Sequence, residues 1–446
     1  MTLRVLVIDV ECQGLDFCLR CIAEGHQVRW WRETKRPVGK GFPGLTIVDD
    51  WRASMAWAGR DGLIVMTGNA KFCRELDRFR EFGFAIFGPT ERSAELEIIR
   101  EKGMRAMEAV GIEIPPYECF DTLKDAEAFA RKSDRAWVFK PLGHEDDKSL
   151  TYCSKDPADL VGWLQRQQVR GMKPKGKVML QEKIEMLAEL GVSGWLGPEG
   201  FLPERWHSCF EHKKLLSGDL GPNTGEEGSV CCYFAEDKLA KQCLKPMEPI
   251  LKTMGHRGDF AVGVGIDNKG RCWPFEFTAR QGWPAFFIQT ASHKGDPAQW
   301  MRDLLDGKDS LKVDRRVAIG VVASQPPYPR YDGKEDCVVG NPISGADEAW
   351  DDIHPVMMAI DKGPVMDGGK VVDRKGYQTA GEMVMVVTGL GATVAKAQDA
   401  VYGSLGEVAW TDMQYRDDIG DKLEASLPKL HRYGFATEMT YGGDDV

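Results

Sequence analysis

The sequence predicts a multidomain protein of mixed α/β and α+β class, and three observations carry that expectation. The chain has 446 residues, too many for one ordinary hydrophobic core, so roughly two to four packed units are expected. Its first ninety residues alternate short apolar runs with helical stretches, the pattern of a parallel sheet covered on both faces. From Trp137 onward strands and helices follow in mixed order, which is the α+β arrangement.

Taken in order, RVLVIDV, LTIVDDW, GLIVMTG and FAIFG read as strands, and residues 15–24 and 72–82 as helices. One charged amphipathic helix is then expected over ERSAELEIIREKGMRAMEAVG, closed by Gly111. GIEIPPYECF breaks the pattern with two prolines. A new unit opens with strands WVFKPLG and SLTYCS, helix ADLVGWLQRQ and strand KVMLQEKI. Residues 204–280 carry further strands and one helix near 238–254. From Val313 the chain is mixed again, with strand VMVVTGLG, helix ATVAKAQDAVYGSLGEV and the segment MQYRDDIGDK before a tail, TYGGDDV, expected to fray.

The formal net charge of -10 argues against a nucleic-acid binder, which needs a basic face for phosphates. No apolar run approaches the roughly 18 residues of a membrane-spanning helix. The opening MTLRVLVIDV carries Asp9 and lacks a signal peptide's cleavage site, so a cytoplasmic protein is expected. The 12 cysteines are scattered. Only Cys18 and Cys21 form a C-x-x-C pair, and without a second pair they read as thiols packed like small hydrophobes.

Three segments carry chemistry. In RCWPFEFTARQG, period-two alternation puts Trp273, Phe275, Phe277 and Ala279 on one face and Pro274, Glu276, Thr278 and Arg280 on the other. That polar row reads either as the solvated side of an edge strand, or as a site where Glu276 holds magnesium and Arg280 an anion. In WVFKPLGHEDDKSLTYCS, Lys140 ends an apolar strand, and a short loop leads to Lys148. Such a hairpin can fold over phosphates, although Glu145, Asp146 and Asp147 would repel them unless turned outward or sharing a metal. In GDLGPNTGEEG the density of glycine is too great for a helix or regular strand, so a loop held at both ends is expected, where ligand contacts concentrate. His207, Cys209 and His212 in WHSCFEH match none of the usual zinc spacings.

With these pieces in order, the chain resembles the phosphoribosylamine–glycine ligase family of the ATP-grasp superfamily. FGPT, SAELE and GIEIPPY follow that family's FGPT…A.LE…GIP segment, and FKPLGHEDDKSL keeps its two lysines and a glycine. HKKLLSGDLGPNTGEEG follows its HKR…GD.GPNTGGMG, PFEFTARQGWP its EFN.RFGDPE, and VTGLGATVAKAQDAVY with MQYRDDIG its C-terminal part. The resemblance implies a Rossmann-like N-terminal domain over 1–90, ATP-grasp central domains over 91–310 with a lid near 118–185, a small α/β C-terminal domain over 311–430, and a tail over 431–446.

It further implies an enzyme in which ATP and magnesium activate a carboxylate as an acyl phosphate that an amine then attacks. Arg100 (where the family has lysine), Lys140, Lys148, Gln181, Glu182, Ile184 and Glu189 would bind the nucleotide. Glu276 and Thr278 would bind the metal. Lys213, Asp219, Asn223, Thr224, Gly225 and Arg280 would line the substrates, with Asn223 and Arg280 as catalytic groups. The implied partners are small molecules, a carboxylate such as glycine or another amino acid and an amine acceptor; neither nucleic acid nor membrane is expected, and the chain would act as a monomer or dimer. Four departures fall on the acceptor half: IDVECQGLDF in place of a GGREHA-like turn, Thr67–Asn69 in place of GPE, Glu226 and Glu227 in GPNTGEEG, and Trp283 and Ala285 in RQGWPA.

Overall fold

The computed structural model describes residues 2–142, 150–329 and 337–441. The N-terminal unit is a parallel sheet of five strands, β1 (Arg4–Asp9), β2 (Gln27–Arg32), β3 (Thr46–Ile47), β4 (Leu63–Met66) and β5 (Ile86–Phe87), in the order β3-β2-β1-β4-β5. Central β1 and β4 are apolar on both faces because both are covered: α1 (Leu15–Ala23) follows β1, and α2 (Arg52–Ala58) and α3 (Cys73–Glu81) flank β4. One face buries Leu6, Ile8, Trp51, Met55, Ile64 and Leu76. The other shares its core with the large sheet described below. Of the run LTIVDDW, only Thr46 and Ile47 pair as strand.

Two helices, α4 (Glu91–Ile98) and α5 (Arg100–Ala109), replace the single amphipathic helix expected over this stretch. Thr90 and Ser93 close α4 with a reciprocal capping box. The break is at Ile99, whose φ of -106° and ψ of 87° are not helical. It lets α5 turn back against α4 so closely that a Cβ on Gly103 would come 2.5 Å from the Leu96 carbonyl oxygen. Nothing in the local sequence marks this break, which is made by packing.

A four-stranded sheet follows, β6 (Tyr117–Phe120), β7 (Trp137–Pro141), β8 (Tyr152–Cys153) and β9 (Val178–Glu182), in the order β6-β9-β7-β8. It is backed by α6 (Leu123–Ala130) and α7 (Pro157–Val169), capped by Thr122 and Asp156. Phe139, Leu160 and Leu180 belong to a separate core inside this unit.

The largest sheet is antiparallel and eight-stranded. Its first members are β10 (Met186–Leu196), β11 (Phe201–Leu216) and β12 (Leu220–Phe234). The expected helix near 238–254 is two, α8 (Lys238–Cys243) and α9 (Glu248–Met254), because Pro246 and Pro249 remove N–H donors at the joint. Strands β13 (Gly258–Asp267) and β14 (Cys272–Thr278) come next, then α10 (Ala285–Ser292) and α11 (Pro297–Leu305). Strand β15 (Val317–Ser324), β16 (Ile353–Pro355), the hairpin β17 (Met358–Asp367) and β18 (Lys370–Thr379), β19 (Met383–Gly391), α12 (Val394–Glu407) and α13 (Asp421–Arg432) complete the chain. The order β14-β13-β10-β11-β12-β15-β19-β16 makes one hydrogen-bonded surface that crosses residue 310. Among the described residues no helix is long and apolar enough to cross a membrane.

The segment GDLGPNTGEEG is not a free loop. Gly218 and Asp219 make the turn, and from Leu220 the chain runs as β12 against β11, Leu216 opposite Leu220 and Lys214 opposite Asn223. Register shifts at His212/Lys214 and Lys214/Leu216 absorb the glycines. Tertiary pairing thus overrides the local turn preference of the sequence.

Candidate functional site

Lys140 lies near the end of β7 among apolar neighbours, and the fold buries it to 8% exposure. Its Nζ donates to Gln181 Oε1 on β9 at 2.8 Å and lies 5.6 Å from the centroid of the Phe275 ring. Burial lowers its pKa to about 8; Glu276 acts against this and Arg100 adds to it. Gln181 in turn offers Nε2 to the sulfur of Met104 on α5, at 3.7 Å. Lys148, the second lysine expected here, lies outside the described residues together with Glu145, Asp146 and Asp147.

Arg100 opens α5 and is buried to 8% exposure. Its Nη2 meets Glu276 Oε2 at 3.2 Å, while Nε and Nη1 are buried without a partner among the described residues. Buried guanidinium N–H groups left unsatisfied are costly, and an anionic ligand would satisfy them.

Glu276 reaches this cluster through a register shift. Gly263 of β13 faces Glu276 and Val264 faces Pro274, so Phe275 is the extra residue of a β-bulge. The strict alternation expected from the sequence is therefore broken. Phe275 leaves the core and is half-buried beside Lys140, while Trp273 and Phe277 stay inside. Glu276 keeps 43% of its side chain exposed, and Thr278 follows two residues on, half-buried. Among the described residues no three His, Cys, Asp or Glu side chains gather as a metal cage.

On the adjoining strands Lys213 Nζ bonds Glu189 Oε1 at 2.9 Å and Glu211 Oε2 at 3.0 Å. Burial opposes its charge, but Glu211, Glu189 and Glu276 outweigh it and hold the lysine pKa well above its usual value. Glu189 is thus an ion-pair partner of Lys213, and both it and Glu276 act on Lys213 and Lys140. The linker residues are partly committed: Glu182 pairs with Arg135 at 2.6 Å, and the N–H groups of Glu182 and Lys183 bond the carbonyls of Pro116 and Ala136. Ile184 is half-buried between β9 and β10.

Along the β11–β12 ribbon Asn223 and Gly225 are exposed, and Thr224 donates to the Lys213 carbonyl at 3.1 Å. Asp219 pairs with Arg416 and Lys422. Glu226 and Glu227 are buried. Glu227 accepts from the Tyr328 hydroxyl at 2.6 Å. Burial, with Glu211 and Cys209 nearby, drives the Glu226 carboxyl pKa well above its usual value, and the Ser229 hydroxyl donates to it.

Arg280 belongs to a different group. Its Nε meets Glu97 Oε1 at 3.4 Å, and Glu97 Oε2 accepts from Asn69 Nδ2 at 2.5 Å and from the Ala279 N–H at 2.7 Å. This group lies beyond the carboxyl ends of β1 and β4, where an open parallel sheet places its ligand crevice. Asp9, the last residue of β1, is fully buried there. Its two oxygens accept from the Gln13 N–H (3.1 Å), Thr67 Oγ1 (2.8 Å), the Gly14 N–H (2.7 Å) and Trp30 Nε1 (3.0 Å).

Sequence reasoning passed over Glu97 and Arg416, although both lie in strings quoted above. Arg416 is fully buried and holds Asp418 with Nε (2.7 Å) and Nη2 (2.8 Å), and Asp219 (3.1 Å) and the Lys214 carbonyl (3.0 Å) with Nη1. It thereby pins the β11–β12 turn to the segment before α13. Arg416→Met is expected to cost about 3 kcal/mol, since it strands carboxylates that have lost their counter-charge. Chemical denaturation measures this, and an unchanged midpoint would show that the clamp contributes nothing.

Comparison with known proteins gives a consistent neighbourhood. A family model described as phosphoribosylglycinamide synthetase, C domain, matches residues 318–422. The chain is 27% identical over 357 residues to the phosphoribosylamine–glycine ligase of Neisseria meningitidis serogroup B, covering 78% of this chain and 81% of that one. The crystal structure of phosphoribosylamine–glycine ligase from Thermotoga maritima is similar with a TM-score of 0.71 at 20% identity, covering 94% of this chain and 100% of that one. The biotin carboxylase domain of Hydrogenobacter thermophilus 2-oxoglutarate carboxylase, solved with MgADP and bicarbonate, gives a TM-score of 0.61 at 12% identity, covering 97% and 96%.

Proposed function

From the phosphoribosylamine–glycine ligase family, to which this chain belongs as a divergent member with the ATP-grasp fold, we infer an ATP-dependent carboxylate–amine ligase working through an acyl phosphate. In that reaction a substrate carboxylate oxygen attacks the γ-phosphorus and ADP leaves. The amine then attacks the acyl carbon, phosphate leaves, and the nitrogen gives up a proton. The observation that carries the assignment of the ATP site is the buried guanidinium of Arg100, with two unsatisfied positions, beside buried Lys140. Two cations held out of water need a polyanion, and the ATP phosphates supply one.

We assign Lys140 and Arg100 to the phosphates, Gln181 to holding Lys140, and the 182–184 linker to the adenine side. Lys148 is assigned there by its motif alone. Glu276, with Thr278, is the donor set for magnesium. One half-exposed carboxylate and a hydroxyl fit this ion, which is commonly held by one or two carboxylates plus substrate phosphates. When bound, magnesium offsets charge on the transferring phosphoryl group; MgADP in a structural neighbour supports this reading. Lys213, Thr224, Asn223 and Gly225 border the carboxylate, and Arg280, positioned by Glu97, faces the amine. Work in the cytoplasm completes the proposal.

One observation favours an acceptor other than phosphoribosylamine. The N–H groups of Gln13 and Gly14, in the turn that leads into α1 where a phosphate cradle would form, already bond the carboxylate of Asp9. Glu11 adds negative charge beside Arg280. An amine without a phosphate at this turn, such as part of a modified nucleotide presented base-first, fits better. The test pairs glycine and other amino acids with phosphoribosylamine and with phosphate-free amines, and follows ADP release. Release that needs both an acid and an amine supports the ligase; tight ATP binding without turnover across all pairs would refute it. Efficient turnover of phosphoribosylamine with glycine would overturn the acceptor argument alone.

The Lys140 amine sets a pH dependence. Below about 8 it is protonated and attracts phosphate; above, the charge is lost. ATP affinity is therefore expected to fall as pH rises through 8, by at most about tenfold per unit. Calorimetric titration between pH 7 and 9.5 checks this, and a flat profile would remove Lys140 from the phosphates.

A further inference from the structure

Beside the edge strand β5 a cavity of about 490 Å³ opens between α3, α4, α9 and α11. Its size is that of a small-molecule pocket. Four arginines line it, Arg80, Arg92, Arg257 and Arg302, against two carboxylates, Asp77 and Asp306.

The carboxylates are already used. Asp77 takes Arg80 Nη1 at 2.6 Å and the Glu91 N–H at 2.9 Å, and Asp306 pairs with Arg302. Arg257 bonds a backbone oxygen, that of His256, at 2.6 Å, and among the described residues no carboxylate pairs with it or with Arg92. Arg80 Nε is buried without a partner among the described residues. Burial lowers the pKa of Arg80 and of Arg257, which marks positive charge held with incomplete compensation. Converging guanidinium groups with two uncompensated charges call for a dianion, and their planar forks suit phosphate oxygens. Thr90 and an apolar wall from Phe84, Ile86, Met254 and Leu305 complete the lining.

We propose that this cavity is a second ligand site, separate from the ATP site, which takes a phosphate monoester carrying an apolar or aromatic body. A phosphomonoester brings close to two negative charges at neutral pH, matching the excess of two arginines, and its body rests on the apolar wall. The site is independent of the ligase assignment, since none of its residues takes part in that chemistry.

Calorimetric titration with phenyl phosphate tests it, with benzoate as the monoanion of similar body. Saturable binding of phenyl phosphate, weakened about tenfold or more in Arg257→Gln/Arg92→Gln and kept in Lys140→Met, is the expected result. Because Arg92 is exposed, Arg92→Gln alone serves should the double variant fold poorly, with a smaller loss in the same direction. Binding untouched by the arginine changes, lost in Lys140→Met, matched by benzoate, or missing at about 10 mM would each overturn the proposal.

Discussion

Lys140→Met is expected to lower the ligation rate by about 10²–10³-fold while the fold keeps its stability or gains some. Methionine fills much the same volume without a charge, so the penalty of holding an ammonium at 8% exposure disappears. What is lost is the positive charge offered to the transferring phosphate, and Gln181 loses the donor it holds at 2.8 Å. The Arg100–Glu276 pair is untouched, so ATP affinity should weaken less than turnover. Rates with a productive acid and amine pair, beside thermal unfolding of the same protein, check both halves. Activity within twofold of the native chain would show that Lys140 is merely a buried lysine.

Glu276→Gln should have an effect of similar size and a different signature. The amide keeps the shape and removes the negative charge, so magnesium should be held several kcal/mol more weakly, two or more orders of magnitude in activation constant. The same change takes away the counter-charge that holds Lys140 protonated, so the pH limb set by that lysine should move lower. Titrating magnesium at two pH values separates these effects. A normal magnesium requirement with an unmoved pH limb would end the metal assignment.

The legible parts of this molecule were those decided by local pattern. Apolar runs such as LIVM at β4 need both faces covered wherever they occur, and a lysine at the end of the apolar β7 strand already stood out as anomalous. The bulge at Phe275 was hidden because period-two reading assumes an unbroken register, and only the pairing with β13 reveals it. The break at Ile99 was hidden because isoleucine is an ordinary helix residue, and the reason for the break lies in how α5 packs on α4. GPNTGEEG looked like a turn from its glycines, and its strand pairing depends on partners in β11. Glu97 resembled any carboxylate on an amphipathic helix until Ala279 and Arg280 arrive from a strand about 180 residues later. Resemblance to a family supplied Arg100, which pattern alone would have left on a helix surface.

The eight-stranded sheet has a practical consequence for dissecting this chain. A cut near residue 310 passes between hydrogen-bonded neighbours: Gly228–Cys231 of β12 lie against Ala318–Val321 of β15. A fragment ending there would carry a bare apolar edge, and such edges recruit other chains. The piece beginning there would keep β15, β19 and β16 with no strand beyond β15. Neither half then keeps its sheet edge covered, and fragments that divide the chain at this point should aggregate more readily than the whole chain.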